Sequence, residues 1–194
     1  AGRLNLAAGS SIDVHAGSGG EGGEVLLRAP RTGSGAGTEV AVDGVNSDIS
    51  GAKSVVVEAV KLYEGKTTLT DTGASTGTTL SLATVNTDNT SFATNVGAIK
   101  SRLGKTGDAS FHVRAGVEVR STGDLTLSKD WNLGASRAGG EPGVLTLRAQ
   151  GNLKLDNNLS DGFNVATPFS SGTTPATLLA GDSWSYRLIA GADA

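Results

Sequence analysis

The chain has 194 residues, a formal net charge of −3 and no cysteine. The absence of cysteine excludes disulfide scaffolds, thiolate zinc sites and thiol catalysis, and the slight negative charge gives no basic field for nucleic acid or an anionic membrane. No apolar run approaches the roughly 18 residues that span a bilayer, so we expect neither nucleic-acid binding nor membrane insertion.

From the N-terminus onward, apolar and polar residues alternate in short segments that come in pairs. Residues 4–6 precede 12–14 by eight residues, and near the other end 145–147 precede 153–155 by the same distance. Alternation with a period of two is typical of a strand with one buried face. Glycines between the segments permit the positive φ of tight turns. The sequence therefore predicts many short strands joined by small turns.

The strand pattern weakens between residues 65 and 107, where threonine becomes frequent. Within this region apolar residues follow the helical spacing i, i+4, i+7 and i+11 at Phe92, Val96, Ile99 and Leu103. Residues 87–89 offer N-capping side chains, and Gly104 suits the C-terminal end. We therefore predict one unit over 1–194, with an extruded insertion at 65–107 and a helix near 88–103.

A longer spacing of about twenty residues relates segments in the second half of the chain. GDLTLSKDWNL from Gly123 and GVLTLRAQGNLKL from Gly143 share Gly, Leu, Thr, Leu, Asn and Leu at equivalent positions. A fixed period with several strands per period is typical of solenoids. We therefore predict an all-β fold, a right-handed parallel β-helix with about twenty residues per coil and one short extruded α-helix.

This fold makes two predictions about side chains that lie twenty residues apart. Asn132 is expected above Asn152 in an amide ladder. Phe111 is expected above Trp131 in a buried aromatic stack, because both rings share the parity of core residues. The alternative is that the two rings are exposed and stack against sugars.

Three segments resemble filamentous-haemagglutinin-like exoproteins, the secreted partners of bacterial two-partner secretion systems. They are FHVRAGVEVRSTGDLTLSKDWNL, GEPGVLTLRAQGNLKLDNNLSDGF and LLAGDSWSYRLIAGAD, and GGEVLLRAPR and SVVVEAVKLYEG fit the same family. The resemblance implies a β-helical shaft on the bacterial cell surface or released from it, as an adhesin, a matrix or biofilm component or a toxin-carrying stalk. It also implies export through an outer-membrane transporter. The NPN-type motif of the secretion domain is missing, so the transporter is expected to engage a part not in this chain.

No catalytic residue, metal ligand set or cofactor site is predicted. Outside the insertion, Glu141 and Asp161 form the only acidic pair at a step of twenty, and both lie in turn-like contexts. GSGGEGGEV occurs once and has Glu where a calcium-binding repeat needs Asp. With His15 and His112 as the only histidines, a histidine metal site is not expected.

Specific recognition is expected in the insertion, because loops and helices offer more chemical variety than regular strands. Lys100, Arg102 and Lys105 form a basic cluster there that would suit acidic glycans, although a solvated helix face is the simpler explanation. The predicted function is a non-enzymatic structural and adhesive module, with host-cell or matrix glycans or proteins as partners. The alternatives are a β-helical polysaccharide lyase or hydrolase, and an extracellular filament subunit that self-associates end to end through open strand edges.

Overall fold

The computed structural model describes residues 2–71, 73–137, 141–164 and 176–192. Before the helices the strands are β1 (Leu4–Leu6), β2 (Ser11–Asp13), β3 (Glu24–Thr32), β4 (Glu39–Val40), β5 (Val42–Val45), β6 (Asp48–Ser50), β7 (Ser54–Tyr63), β8 (Thr68–Thr70) and β9 (Thr79–Ser81). The helices are α1 (Leu82–Ala93) and α2 (Val96–Arg102). After them come β10 (Phe111–Ser121), β11 (Leu125–Leu127), β12 (Trp131–Asn132), β13 (Val144–Ala149), β14 (Leu153–Leu155), β15 (Leu159–Ser160) and β16 (Ser185–Ile189).

These strands form five separate sheets. The largest has six strands in the order β16-β13-β10-β7-β3-β4, and a second has four in the order β14-β11-β8-β9. The three others are the pairs β1-β5, β2-β6 and β12-β15. Neighbouring strands run parallel except β3 and β4, which are antiparallel. The six-stranded sheet holds the longest strands and is the main platform of the molecule.

The prediction of an all-β, right-handed parallel β-helix with coils of about twenty residues is wrong. The strands are divided among five sheets, and the largest sheet is mixed. No single period relates the paired strands either. The offset is 30 residues from Val25 to Val55, 56 from Val55 to Phe111, and 28 from Val117 to Leu145.

The apparent twenty-residue repeat has a simple origin in the strand register. The segment 125–127 pairs with 153–155, whereas the similar segment 145–147 pairs with 117–119. Both offsets are 28 residues. Consecutive strands within one unit, such as those at 117 and 125, start eight residues apart. An offset of 28 less these eight residues leaves a step of twenty between segments that do not pair.

The helical region contains two helices where one was predicted at 88–103. The first begins at Leu82, and the second ends just before Leu103. Between them the Oγ1 of Thr94 and the Nδ2 of Asn95 donate to the Ser91 carbonyl oxygen at 2.8 and 3.0 Å. Such bonds from side chain to backbone compete with the helical pattern. The break therefore lies inside the apolar stripe that suggested one continuous helix.

The two helices pack into the core instead of extruding from it. Phe92, Ile99 and Leu103 are buried in a cluster with the N-terminal half of the six-stranded sheet. Leu82 and Val85 are buried in a second cluster, which contains the leucines of β11 and β13. Helix α1 thus contributes to both hydrophobic clusters and joins them.

Candidate functional site

One face of the six-stranded sheet packs on the hydrophobic clusters, and the other carries charged side chains. On β10 and β13 the residues at 117, 119, 145 and 147 belong to the core. Successive side chains of a strand point to opposite faces. Glu118, Thr146 and Arg187 therefore form one row across three strands on the outer face, and Arg120 and Arg148 begin the next row.

These rows line a groove of about 220 Å³ on the outer face, which we call the arginine groove. Its lining residues are Arg28, Glu118, Arg120, Thr146, Arg148, Arg187 and Ile189. They come from four strands that are far apart in sequence. Parallel register in the sheet brings them together, because each strand presents alternate residues at the same height.

Two buried glutamates organise the arginines. Glu58 and Glu118 are only 1% and 4% exposed, although both lie on the outer face. Arg28 connects them: its Nε lies 3.1 Å from Glu58 Oε1, and its Nη2 donates to Glu118. Arg120 Nε lies 2.5 Å from Glu118 Oε1, and Arg187 Nη1 lies 3.4 Å from Glu58 Oε2. Each carboxylate is therefore shared by two guanidinium groups.

The ion pairs keep Glu118 ionised. Burial by itself would raise the pKa of Glu118, because a low-dielectric environment disfavours the charged form. The hydrogen bonds and charges of Arg28 and Arg120 outweigh burial and hold this pKa below its ordinary value. The carboxylate acts as an acceptor and not as a proton donor near neutral pH.

Gly116 makes room for the Glu58 side chain. A Cβ added at Gly116 would lie 2.9 Å from Glu58 Cγ and 3.1 Å from Val60 Cγ2, closer than such atoms approach in proteins. The Glu58 side chain thus lies over the bare backbone of the neighbouring strand, and a side chain at position 116 would displace it from Arg28 and Arg187.

The arginine groove has an excess of positive charge. Four arginines line it, and Glu58 and Glu118 provide two negative charges, which leaves a formal charge of +2. A guanidinium group has five N–H donors, and the Arg187 contact with Glu58 accounts for one of its nitrogens. This local excess occurs on a chain whose net charge is −3, so it marks the groove as a place for an anionic ligand.

An apolar groove of about 290 Å³ adjoins the arginine groove. Arg28, Glu118 and Arg120 line both, and the other walls are Ala29, Pro30, Val60 and Leu62. The ion pair between Arg28 and Glu118 therefore separates a basic compartment from an apolar one. A ligand that spans both would place a charged group in the first and an uncharged surface in the second.

Phe111 and Trp131, predicted to stack on each other, lie in different hydrophobic clusters. Phe111 is in register with Val55 and is 1% exposed in the first cluster. Trp131 is 2% exposed in the second cluster, and its Nε1 donates to Asn86 Oδ1 on α1 at 3.2 Å. The predicted aromatic stack is absent because the register does not follow a twenty-residue step.

The predicted amide ladder between Asn132 and Asn152 is also absent. Asn132 is in register with Ser160, and its Nδ2 donates to the Phe163 carbonyl oxygen at 2.8 Å. Asn152 instead donates from its backbone N and its Nδ2 to Asp124 Oδ1, at 2.9 and 3.1 Å. The two asparagines bind different partners at different positions in the fold.

The basic cluster at Lys100, Arg102 and Lys105 makes contacts within the protein. Arg102 Nε lies 2.8 Å from Glu39 Oε2, and its Nη1 donates to the Val42 carbonyl oxygen. Lys100 Nζ lies 4.0 Å from Glu141 Oε1. Lys105 Nζ lies 5.8 Å from the centroid of a core phenylalanine ring, that of residue 111. These contacts attach α2 and the following loop to the rest of the fold.

The acidic pair Glu141 and Asp161 has structural partners. Glu141 accepts from His112 Nδ1 at 2.8 Å and lies 3.3 Å from Arg114 Nε. Asp161 accepts from the Trp184 backbone N at 2.7 Å and from a tyrosine hydroxyl at 2.9 Å. The two carboxylates serve separate networks.

The sequence contained a signal for the arginine groove that a twenty-residue comparison misses. Arg120 and Arg148 are 28 residues apart, and each is followed three residues later by glycine and then by Asp-Leu or Asn-Leu. Aligned at 28, the whole outer row falls into register. Glu58 stands out differently, as a charge within the apolar run SVVVEAV.

Metal and membrane features were sought throughout the described ranges. Among those residues no three His, Cys, Asp or Glu side chains come together as a metal-binding group. Neither helix there is long and apolar enough to cross a membrane. Comparisons of the chain with protein-family models, with curated proteins and with solved structures found no match.

Proposed function

We propose that this chain is a non-enzymatic adhesive module of a secreted bacterial surface exoprotein, and that the arginine groove contacts an acidic glycan. The observation that carries the proposal is the convergence of four arginines on a solvent-facing sheet around two glutamates. Arginine is suited to this task because its planar group pairs with carboxylates and is always charged.

The sequence resemblance supports the same class of function. Exoproteins similar to filamentous haemagglutinin are exported through an outer-membrane transporter, which a part beyond this chain would engage. Host-cell or matrix glycans are then the partners. In the adhesive reading, the six-stranded sheet is the rigid platform that holds the arginines in place, and the two hydrophobic clusters support it from below.

The main alternative is a polysaccharide lyase or hydrolase, and one observation favours it. Glu58 and Glu118 form a convergent carboxylate pair on the solvent-facing sheet, beside arginines. A glycosidase, however, needs one carboxylic acid with a raised pKa as its proton donor. The low pKa of Glu118 and the nearly complete burial of Glu58 suit a scaffold for arginines better than acid–base catalysis.

The test measures binding of the full chain to polygalacturonate, chondroitin sulfate and neutral dextran by calorimetry at two salt concentrations. We expect the two acidic polymers to bind, more weakly at high salt because salt screens exposed charges, and dextran not to bind. The double variant Arg148→Gln/Arg187→Gln should lose most of this binding. Arg114→Gln, on the same face but outside the groove, is the matched control.

Two results would contradict the proposal. Equal binding of dextran and the acidic polymers would remove the role of the groove's charge. Release of reducing ends or unsaturated products from any of the polymers would favour the enzyme instead.

A further inference from the structure

We infer that the arginine groove contains a subsite for a single carboxylate group of an acidic sugar, formed by Arg148, Arg187 and the hydroxyl of Thr146. This inference rests on the proposed function and names the ligand group that the groove takes. It is argued from an unpartnered hydroxyl, from the geometry of the arginines and from the size of the groove.

The Thr146 hydroxyl is the first observation. Thr146 is 4% exposed, and its Oγ1 is shielded from solvent without a hydrogen-bond partner in the protein. Burying a hydroxyl without a partner is unfavourable, and valine would fit a strand at this position without that cost. A ligand oxygen that accepts from Oγ1 would supply the missing partner.

The position of Thr146 between opposite charges is the second observation. In the cross-strand row it lies between Glu118 on β10 and Arg187 on β16. The 3.4 Å contact of Arg187 with Glu58 is longer than the 2.7–2.9 Å of a strong charged hydrogen bond. Arg187 can therefore hold a second carboxylate, with the planar two-donor geometry that guanidinium and carboxylate groups share.

The size of the groove limits the ligand to one charged group at this point. The arginine groove, at about 220 Å³, is smaller than the roughly 300–1,000 Å³ of sites that enclose whole drug-sized ligands. The adjoining apolar groove, lined by Pro30, Val60 and Leu62, can take the uncharged face of a neighbouring sugar. The ligand is thus an acidic residue within a longer glycan, of which uronates and sialic acids are the two sources.

The decisive variant is Thr146→Val, which removes only the hydroxyl. Binding of trigalacturonate, its methyl ester and sialyllactose to the full chain is measured by calorimetry, and the melting temperature is measured in parallel. We expect the wild-type chain to bind at least one of the two acids more tightly than the ester. Thr146→Val should weaken that acid about tenfold, the value of one hydrogen bond to a charged group, while the melting temperature stays the same or rises.

This combination separates recognition from structure, because a merely structural hydroxyl would not make binding weaker in an equally stable protein. Thr126→Val, on β11 in another sheet, is the control and should bind as the wild type does. Whichever acid binds more tightly identifies the source of the carboxylate.

Equal binding of acid and ester, or full binding by Thr146→Val, would overturn the subsite even if acidic polymers still bound the groove. Failure of every acidic polymer to bind the wild-type chain would overturn the proposed function together with the subsite. The two failures are therefore distinguishable.

Discussion

Arginines occupy two very different places in this protein. Arg31 lies within the fold, where it donates to the carbonyl oxygens of Asp88, Ala59 and Gly116 at 3.1, 3.3 and 3.2 Å. Its guanidinium centre lies 4.5 Å from the centroid of the Phe92 ring. The arginines of the arginine groove pair with carboxylates and reach solvent. The same side chain thus clamps helix to sheet in one region and lines a surface groove in the other.

Burial and the type of partner account for this difference. Burial lowers the pKa of Arg31 to about 10, against the opposing influence of Tyr63 and Asp88, because no carboxylate neutralises the group directly. Arg28 and Arg187 keep 39% and 41% of their side chains exposed and contact buried glutamates. An arginine bound to carbonyl oxygens inside the fold is structural, whereas one held at the surface by carboxylates keeps donors for a ligand.

The largest effect is expected from Arg31→Met. This change removes the donors to three carbonyl oxygens and to Asn89 Oδ1, and each acceptor left buried without a partner costs about 1–3 kcal/mol. We expect the free energy of unfolding, measured by urea titration, to fall by at least about 3 kcal/mol. Arg28→Met is the matched control, and the comparison fails if it costs as much as Arg31→Met.

Glu58→Gln should have a smaller and two-sided effect. It removes the charge that holds Arg28 and Arg187, but both arginines can turn to water, so we expect a loss of about 1–3 kcal/mol. The same change raises the charge of the arginine groove by one, so an acidic polymer should bind more tightly. Glu24→Gln, at an exposed position that accepts only from Ser54, should leave both properties unchanged. Weaker polymer binding by Glu58→Gln would show that the groove depends on its shape more than on its charge.

The groove should also lose stability in acid. The pKa of Glu118 is lower in the folded protein than its ordinary value of 4.5, so its ionised form stabilises the fold above that value. This contribution is lost as pH falls below about 4.5 through the folded-state pKa. Unfolding free energies measured between pH 6 and 2.5 should show a shallower acid loss for Glu118→Gln than for the wild type. An identical slope in both proteins would mean that Glu118 is not ion-paired in solution.

The smallest effect is expected at the basic cluster of α2. Arg102 and Glu39 are each about one-third exposed, and exposed ion pairs contribute about 0.2–1 kcal/mol. Arg102→Gln should therefore lower stability by no more than about 1 kcal/mol and should not change the binding of acidic polymers. Loss of polymer binding in this variant would move the recognition surface from the arginine groove back to the helix.

The sequence predicted local structure better than it predicted how the strands pair. Alternation located most strands, because each strand buries one face whatever sheet it joins. The apolar stripe located the helices but not the break at Thr94 and Asn95, which depends on bonds from side chain to backbone. Pairing failed because LTL at 125 and LTL at 145 look alike, yet each pairs with a different segment.

The site was missed for the same reason. Parallel register, and not distance along the chain, brings Arg28, Glu58 and Arg187 together. The search at a step of twenty selected Glu141 and Asp161, whose partners are local to other networks. A comparison at 28 residues would have placed Arg120 beside Arg148, but nothing in the sequence indicates that Glu58, 60 residues before Glu118, belongs to the same cluster.

The contact between Gly116 and Glu58 has an evolutionary consequence. Because the side chain at 58 occupies the space that any Cβ at 116 would need, the two positions cannot vary independently. Homologous chains that keep glutamate at 58 should keep glycine at 116, and those that gain a side chain at 116 should carry a shorter residue at 58. Covariation of this pair in descendants of a common ancestor would then record which lineages have retained the groove.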